Sequence, residues 1–254
     1  MTKNEKEGGF ISHLTELRSR LIHSFIFLFV FFILCYFFAE YLYGFLVEPY
    51  AQAVKNDGTE RRLIFTALQE TFLTYLKVAF FASFFVTSPF ILIQVWKFIA
   101  PGLYDHEKSA IMPYLAITPI LFFLGGALVY YLIMPLAIKF FISFESSGLI
   151  TNLPIQLEAK VNEYLSLIMK LIFAFGLSFQ LPVVLSLLAR VGVVDSEFLK
   201  KRRKYVVVII FTAAAILTPP DPITQIGLAI PLLILYELSI FSVSLIEKKS
   251  KEDA

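Results

Sequence analysis

The sequence predicts an all-α integral membrane protein whose single domain, residues 1–254, crosses the bilayer six times. Composition is the first indication: 58% of the 254 residues are hydrophobic, 28 are Phe and only 17% are charged, which is more apolar than ordinary soluble domains. The length of the apolar stretches is the second, because several approach the roughly 20 residues that a helix needs to cross about 30 Å of hydrocarbon. The predicted spans are residues 21–38, 71–95, 110–138, 164–189, 205–217 and 223–246.

The first span is predicted to stay in the protein as an anchor. It follows a polar N-terminal segment, exceeds the ~7 to 15 apolar residues of a signal peptide, and no small-residue cleavage site follows it. The single cysteine, Cys35, lies within it, so the sequence offers no disulfide framework and no thiolate metal site.

The third and fifth spans depart from the usual length. As a straight helix the third would measure about 43 Å, so we expect tilt and bending. The fifth reaches only about 20 Å before TPPDP at 218–222 stops the helix. Short fifth and sixth helices are expected, either in a thinned bilayer or dipping into it from one side; snorkelling of Lys204, with packing that absorbs the mismatch, is the other explanation. Candidate bend sites in the third span are Pro113, Pro119, Pro135 and the Gly125-Gly126 pair.

The lysines and arginines indicate the orientation. They cluster before the first span, at residues 200–204 and in the C-terminal tail, and basic residues are retained preferentially on the cytoplasmic side. Both termini and the connection at residues 95–108 are therefore predicted to be cytoplasmic. The connections on the other side carry Lys55, Arg61, Arg62, Lys139 and Lys160.

Residues 10–21, FISHLTELRSRL, have the pattern of an amphipathic helix beside the membrane, with leucines on one face. Glu16 and Arg20 lie four residues apart and can pair, which contributes about 0.3 kcal/mol. Two explanations stay open for Glu16. It orders an interfacial helix, or it offers a carboxylate at the membrane surface to a cationic ligand.

The connection VWKFIAPGLYDHEK, residues 95–108, supplies further carboxylates at the same surface. Its Pro-Gly pair is predicted to end the second helix, and Asp105 and Glu107 follow. Carboxylates suit an arginine-bearing partner, because a guanidinium can donate to two carboxylate oxygens at once. The aromatic residues of this connection would by themselves be explained as an interfacial belt.

Few strongly polar side chains fall inside the spans, among them Lys77, Lys170, Gln180 and Glu237. Ionisable groups in a bilayer are functional candidates, but both lysines lie near the external ends of their spans, where snorkelling explains them. Gln180 lies near mid-membrane, beside Pro182. Two roles stay open for it: a structural hydrogen bond between helices, or a docking site for another transmembrane helix.

Motifs for enzymatic chemistry are missing from the sequence. His13, His23 and His106 lie in no HExxH or close Cys/His spacing, and there is neither a GxxxxGKS/T phosphate loop nor a GxSxG elbow. No enzymatic activity, cofactor or metal site is predicted. The formal net charge of +2, with basic residues beside apolar segments, indicates no nucleic-acid partner.

Four ordered motifs give the sequence a resemblance to a known family. They are HLTELRSRL at 13–21, QVWKFIAPGLYDHEK at 94–108, FGLSFQLPV at 175–183 and LTPPDPITQ at 217–225. Together they resemble TatC, the multispanning subunit of the twin-arginine protein translocase. The resemblance implies a concave, glove-like arrangement of the six helices.

The resemblance also implies a receptor for signal peptides that carry consecutive arginines on proteins exported already folded. In the family, glutamates of the first two motifs help to hold the arginine pair, and the phenylalanine of VWKFIAP is likewise a signal-peptide residue. With no nucleotide motif, the expected energy source is the proton-motive force. The expected peptide-binding set is Glu16, Phe98, Glu107, Leu14, Arg18, Pro101 and Asp105.

Single-span subunits of the TatA and TatB type are the partners that the resemblance implies, with further copies of this chain in the complex and membrane lipid around it. The polar patch proposed to contact them corresponds to Gln180, Thr218 and Asp221. Many family members have glutamate at the position of Gln180, so a titrating carboxylate is replaced here by an amide that can still hydrogen-bond. The expected location is the bacterial plasma (inner) membrane.

An ion-coupled secondary transporter of a small solute is the alternative from another class, with Lys77, Lys170 and Glu237 as coupling groups. It predicts inverted repeats and paired discontinuous helices, and the sequence shows neither. An intramembrane protease would need a nucleophile or paired carboxylates beside a base within the membrane, which the histidine positions do not supply.

Overall fold

The computed structural model describes residues 3–55, 62–99, 105–146, 153, 155–218 and 222–252. Within these ranges the chain is almost entirely helical, and two isolated bridges, Ile64 with Lys160 and Ser146 with Ile155, are its pairings of strand type. The all-α prediction is confirmed. The helices are α1 (Lys3–Phe37), α2 (Ala39–Lys55), α3 (Glu70–Ile99), α4 (Asp105–Leu128), α5 (Met134–Ile142), α6 (Val161–Ser178), α7 (Leu181–Arg190), α8 (Ser196–Leu217) and α9 (Pro222–Glu252), with a π-helical segment (Val129–Ile133) between α4 and α5.

Apolar stretches in five places of the described chain are long enough to cross a membrane, and each overlaps a predicted span. The predicted fifth span falls in α8, which has 22 residues but is apolar only in its second part, because residues 200–204 are KKRRK. The five stretches are Thr15–Phe37, Glu70–Val95, Ala116–Ile142, Val161–Arg190 and Thr224–Lys248.

α1 joins the predicted amphipathic segment and the first span into one helix of 35 residues. A turn at Phe38, whose N–H donates to the carbonyl of Cys35, separates it from α2. This second helix has no counterpart among the predicted spans, since its 17 residues are too short to cross the bilayer. α2 instead buries one face against the main core, through Leu46, Tyr50 and Val54.

The third span contains the expected departure from a regular α-helix. α4 continues through Pro113, Pro119 and the glycine pair, and the change comes at the π-helical segment, which ends two residues before Pro135. There the N–H of Met134 donates to the carbonyl of Val129, five residues back. Proline lacks the N–H that would continue the ordinary ladder, and π turns and prolines are where helices bend.

Glycine allows α4 and α6 to approach closely. A Cβ on Gly125 would lie 2.6 Å from the carbonyl oxygen of Phe175, and one on Gly176 would lie 2.7 Å from the ring of Phe122. Both phenylalanines are buried. A backbone carbonyl cannot rotate aside as a side chain can, so this contact between membrane helices depends on the absence of a side chain at Gly125.

The fourth span consists of two helices. α6 ends at Ser178, and α7 begins at Leu181 with Pro182 in its first turn. This break agrees with the sequence, because Pro182 has no N–H to donate to the carbonyl of Ser178. Gln180 is left between the two helices.

α8 and α9 form a hairpin that is fixed where α8 begins. Asp195 caps α8 by accepting from the N–H of Phe198, and Glu247 of α9 accepts from the N–H and the hydroxyl of Ser196. The prediction of a short sixth helix is wrong, since α9 has 31 residues. The TPPDP stop ends α8 alone, and α9 then continues through Pro231 into the polar C-terminal tail.

Candidate functional site

The carboxylate of Glu16 forms an ion pair on α1, one turn from Arg20. The Nε of Arg20 donates to Oε1 of Glu16 at 3.0 Å, and an η nitrogen donates to the same oxygen at 2.5 Å. The side chains of Glu16 and Arg20 are 36% and 25% exposed, so solvent screens the pair and it stabilises the helix little. Among the described residues no hydrogen bond reaches Oε2 of Glu16. One carboxylate oxygen is therefore available to a ligand.

Gln94 of α3 holds this pair in place from the neighbouring helix. The other η nitrogen of Arg20 donates to Oε1 of Gln94 at 2.9 Å, and the buried Ser24 donates its hydroxyl to the carbonyl of Arg20 at 2.9 Å. Sequence reasoning missed Gln94 as a site residue. Its place in the QVWKF motif was the available signal, but the packing of α1 on α3 is what brings it to Arg20.

Phe98 extends the site by one turn of α3. It follows Gln94 by four residues, which puts the two on one face of the helix, and its side chain is half-buried. α3 ends one residue later, at Ile99. Glu16, Arg20, Gln94 and Phe98 together are called the α1–α3 surface.

The remaining residues of the expected peptide-binding set are not seen to join the α1–α3 surface in the described part of the chain. Pro101 lies outside the described residues. α4 begins at Asp105 and carries Glu107 in its first turn, although the side chains of both lie outside the described part. Leu14 and Arg18 precede and follow Glu16 by two residues on α1, about 200° round the helix. They therefore occupy register positions on the other side of α1 from the ion pair, and Arg18 is exposed.

Gln180, between α6 and α7, is buried, with 5% of its surface exposed. Its Nε2 donates to the carbonyl of Thr118 on α4 at 3.0 Å, whereas its Oε1 is buried and has no hydrogen-bond partner in the described part of the chain. These contacts fit a structural hydrogen bond between helices. They also leave one acceptor for a donor from elsewhere.

Of the other two residues of the expected partner patch, Thr218 lies in the described part of the chain. Thr218 is buried at the end of α8, where its hydroxyl donates to the carbonyl of Ala214 at 2.9 Å. Asp221 lies outside the described residues. Within the described ranges, no hydrogen bond links Gln180 and Thr218.

The ionisable groups inside the spans have local partners or none. Lys77 donates to Oδ1 of Asn162 at 2.7 Å, and Glu237 of α9 pairs with Arg203 of α8 at 2.6 Å. No described hydrogen bond or ion pair links Lys77 or Lys170 to Glu237. The described residues also contain no group of three His, Cys, Asp or Glu side chains placed to hold a metal ion.

The fold and the site define a class: a multi-pass α-helical membrane protein with a polar, part-exposed surface where two of its membrane helices meet. A family model described as Sec-independent protein translocase protein (TatC) matches residues 12–231. The chain therefore belongs to the TatC family.

Bacterial relatives named Sec-independent protein translocase protein TatC align over most of the chain. That of Magnetococcus marinus is 50% identical over 248 residues, covering 98% of this chain and 88% of that protein. That of Rickettsia prowazekii is 46% identical over 239 residues, covering 94% of each. That of Escherichia coli K12 is 37% identical over 231 residues, covering 91% of this chain and 86% of that protein.

A crystal structure described as the twin arginine translocase receptor TatC has the same fold. It matches with a TM-score of 0.79 and 38% sequence identity, covering 92% of this chain and 99% of that chain. The likeness extends over nearly the whole length of both chains, so the fold expected from the resemblance is confirmed.

Proposed function

We propose that this chain is the signal-peptide receptor and core subunit of a twin-arginine protein translocase, which exports folded proteins across the membrane with the energy of the proton-motive force. Membership of the TatC family supports the class of function. The observation that carries the receptor role is the α1–α3 surface, where the part-exposed carboxylate of Glu16 pairs with Arg20, and Arg20 in turn donates to Gln94 of the neighbouring helix.

Glu16 offers its Oε2 to a guanidinium of the peptide, while Arg20 binds Oε1. Arg20 is tied to Gln94 as well, so it keeps the carboxylate from rotating away. A guanidinium suits this acceptor better than an ammonium, because its planar fork can donate two parallel hydrogen bonds. Arg20 and Gln94 are therefore positioning residues, and Glu16 is the residue that contacts the peptide.

A second carboxylate is required for an arginine pair. Glu16 and Arg20 together are electrically neutral, so they cannot balance two further positive charges. Glu107, in the first turn of α4, is the second carboxylate that we propose, with Asp105 beside it. Residues 100–104 connect Ile99 to α4, and a connection of this length keeps the start of α4 within about 20 Å of the end of α3.

The apolar part of the signal peptide would then follow the membrane helices. α1 packs mainly on α3 and exposes a row of large apolar side chains, including Phe25 and Phe29. Phe98, one turn beyond Gln94 toward the end of α3, lies on the other side of the charged groups from this row and offers the peptide an aromatic contact. Leu14, Arg18 and Pro101 would contact peptide residues that flank the arginines.

Single-span TatA- and TatB-type subunits are the partners that we propose, with further copies of this chain in the complex. The unpaired Oε1 of Gln180 supports a polar contact, because a buried acceptor gains from any donor that reaches it. Thr218 and Asp221 would complete that contact. Since Gln180 and Thr218 are buried here, a partner helix would reach them only if neighbouring helices move.

The proposed location is the bacterial plasma membrane, with both termini in the cytoplasm. Six crossings, the five long apolar stretches together with α8, would place both termini on one side. The basic clusters before the first span, at the start of α8 and in the C-terminal tail support the cytoplasmic side. The α1–α3 surface then faces the compartment where signal peptides are made.

Peptide binding to the full chain in lipid nanodiscs tests the receptor role. We expect an Arg-Arg signal peptide to bind more tightly than its Lys-Lys variant, and Glu16→Gln and Glu107→Gln each to weaken it about tenfold. Glu197→Gln is the matched control, since Glu197 is an exposed carboxylate in the first turn of α8. Equal affinity for the two peptides would overturn the proposal.

A further inference from the structure

We propose that a groove between α3 and α6 binds an anionic phospholipid, a role separate from the recognition of signal peptides. The groove has a volume of about 410 Å³ and is lined by residues of the membrane-crossing parts of both helices. Two lysines and a serine lie toward the starts of the helices, and phenylalanines lie deeper. Its lining includes Lys77, Lys170, Ser166, Phe80, Phe84 and Phe173.

Lys77 is turned toward the first residues of α6. It lies seven residues, or about 10 Å, along α3 from Glu70, and its Nζ donates to Oδ1 of Asn162 at 2.7 Å. An ammonium has three donors, so two remain. The side chain is exposed, and these donors are open to a molecule in the groove.

Lys170 brings a second positive charge to the same groove. It lies nine residues, or about 13 Å, along α6 from Val161, and its side chain is exposed. In the described part of the chain it makes no hydrogen bond or ion pair. A lysine at this depth is costly unless it reaches the interface or meets an anion.

The carboxylates at this end of the helices are engaged elsewhere. Oε2 of Glu70 accepts from the N–H groups of Thr66 at 2.8 Å and Ala67 at 3.3 Å, and Glu163 pairs with Lys160 at 3.7 Å. Both line a neighbouring polar cavity that shares Lys77, and neither lines the groove. The groove therefore carries two positive charges and no negative charge of its own.

The phenylalanines continue the groove toward the middle of the membrane. Phe84 packs edge-on against Phe173 across the two helices, with 5.1 Å between ring centroids. Phe80 stacks on Phe84 at 6.4 Å and is 55% exposed. An acyl chain would cover this aromatic surface directly below the lysines.

An anionic phospholipid matches both parts of the groove. Its phosphate can accept from both lysines and from the hydroxyl of Ser166, and its acyl chain packs on the phenylalanines. Basic pockets between membrane helices on the cytoplasmic side bind anionic headgroups, and the same pairing of charges applies to this groove at the external ends of the helices. Free phosphate has no apolar part to pack on the phenylalanines, and an apolar helix would bring no negative charge to the two lysines. A partner helix that carries a carboxylate is the competing occupant.

Fluorescence quenching by brominated lipids tests the proposal on the full chain. Trp96, the single tryptophan, is replaced by Phe, and a reporter is introduced by Phe80→Trp. In mixed bilayers we expect brominated phosphatidylglycerol to be preferred over brominated phosphatidylcholine about fivefold or more at this reporter. A reporter at Ile230, on the exposed side of α9 and eight residues from the start of that helix, should show no preference.

The lysines are tested by paired substitutions. Lys77→Gln with Lys170→Gln should abolish the preference, whereas Lys77→Arg with Lys170→Arg should keep it. Lys200→Gln with Lys201→Gln removes the same charge at the start of α8 and should leave the preference unchanged. Equal quenching by the two lipids, or a preference that survives the glutamine pair, would overturn the proposal. Weak quenching by both lipids would overturn it too, because lipid would then not occupy the groove.

Discussion

The α1–α3 surface and the Gln180 position show two ways in which this protein arranges polar groups near lipid. At the α1–α3 surface, Arg20 joins Glu16 to Gln94, the charged groups are part-exposed, and one carboxylate oxygen is left over. At Gln180 the amide is 5% exposed, donates to one backbone carbonyl, and also leaves one oxygen over. The difference is solvent access.

Solvent access determines how much stability is lost when a side-chain oxygen has no hydrogen-bond partner in the protein. Water satisfies the spare oxygen of Glu16 until a ligand replaces it, so the site is ready to bind at little cost in stability. A spare buried oxygen such as that of Gln180 costs about 1 to 3 kcal/mol. Substitutions at the first place should therefore change peptide affinity, and substitutions around the second should change the free energy of unfolding.

The largest effect on stability is expected at the close contact beside the Gln180 position. Gly125→Ala would place a Cβ 2.6 Å from the carbonyl oxygen of Phe175, which forces α4 and α6 apart and should cost about 3 kcal/mol. Thermal unfolding in detergent measures the loss. Gly227→Ala is the control, because a Cβ there meets nothing within 4 Å. Equal melting temperatures for the two variants would contradict the packing described.

A smaller effect, on binding alone, is expected from the positioning residue of the α1–α3 surface. Arg20→Gln lets the carboxylate of Glu16 rotate away, and this loss of positioning should outweigh the gain from removing a positive charge. Affinity for an Arg-Arg peptide should therefore fall about fivefold, while stability changes by less than about 1 kcal/mol. Arg203→Gln removes a similar part-exposed ion pair on α8 and α9 and should leave affinity unchanged. If both variants bind the peptide like the native chain, Arg20 has no positioning role.

The smallest effect is expected when the spare buried oxygen is removed. Gln180→Leu loses one hydrogen bond and also the unpaired acceptor, so the two terms nearly cancel and stability should change by about 1 kcal/mol or less. Chemical unfolding in mixed micelles measures it. A loss of several kcal/mol would show that the amide oxygen has a partner that the described contacts do not contain.

Local patterns predicted much of the fold. Apolar length located the spans, Pro182 indicated the break between α6 and α7, Pro135 was among the expected bend sites, and the spacing of Glu16 and Arg20 predicted their ion pair. Each of these depends on residues a few positions apart, where helix geometry fixes what can meet.

Contacts between distant residues could not be predicted in this way. Arg20 and Gln94 are 74 positions apart, and Gln180 and Thr118 are 62 apart, so their hydrogen bonds depend on how helices pack. Apolar length does not predict α2, because its 17 residues are too short to cross the bilayer. The TPPDP motif does not predict the length of α9, because it ends α8 and does not limit the helix that follows.

The most direct test of the receptor role is photocrosslinking from the α1–α3 surface. A photoreactive residue in place of Phe98 is exposed to a signal peptide bearing Arg-Arg or Lys-Lys, in membranes that contain the single-span partners. We expect strong labelling of the Arg-Arg peptide that falls with Lys-Lys and with Glu107→Ala. Equal labelling of both peptides, or no labelling, would contradict the role assigned to this surface.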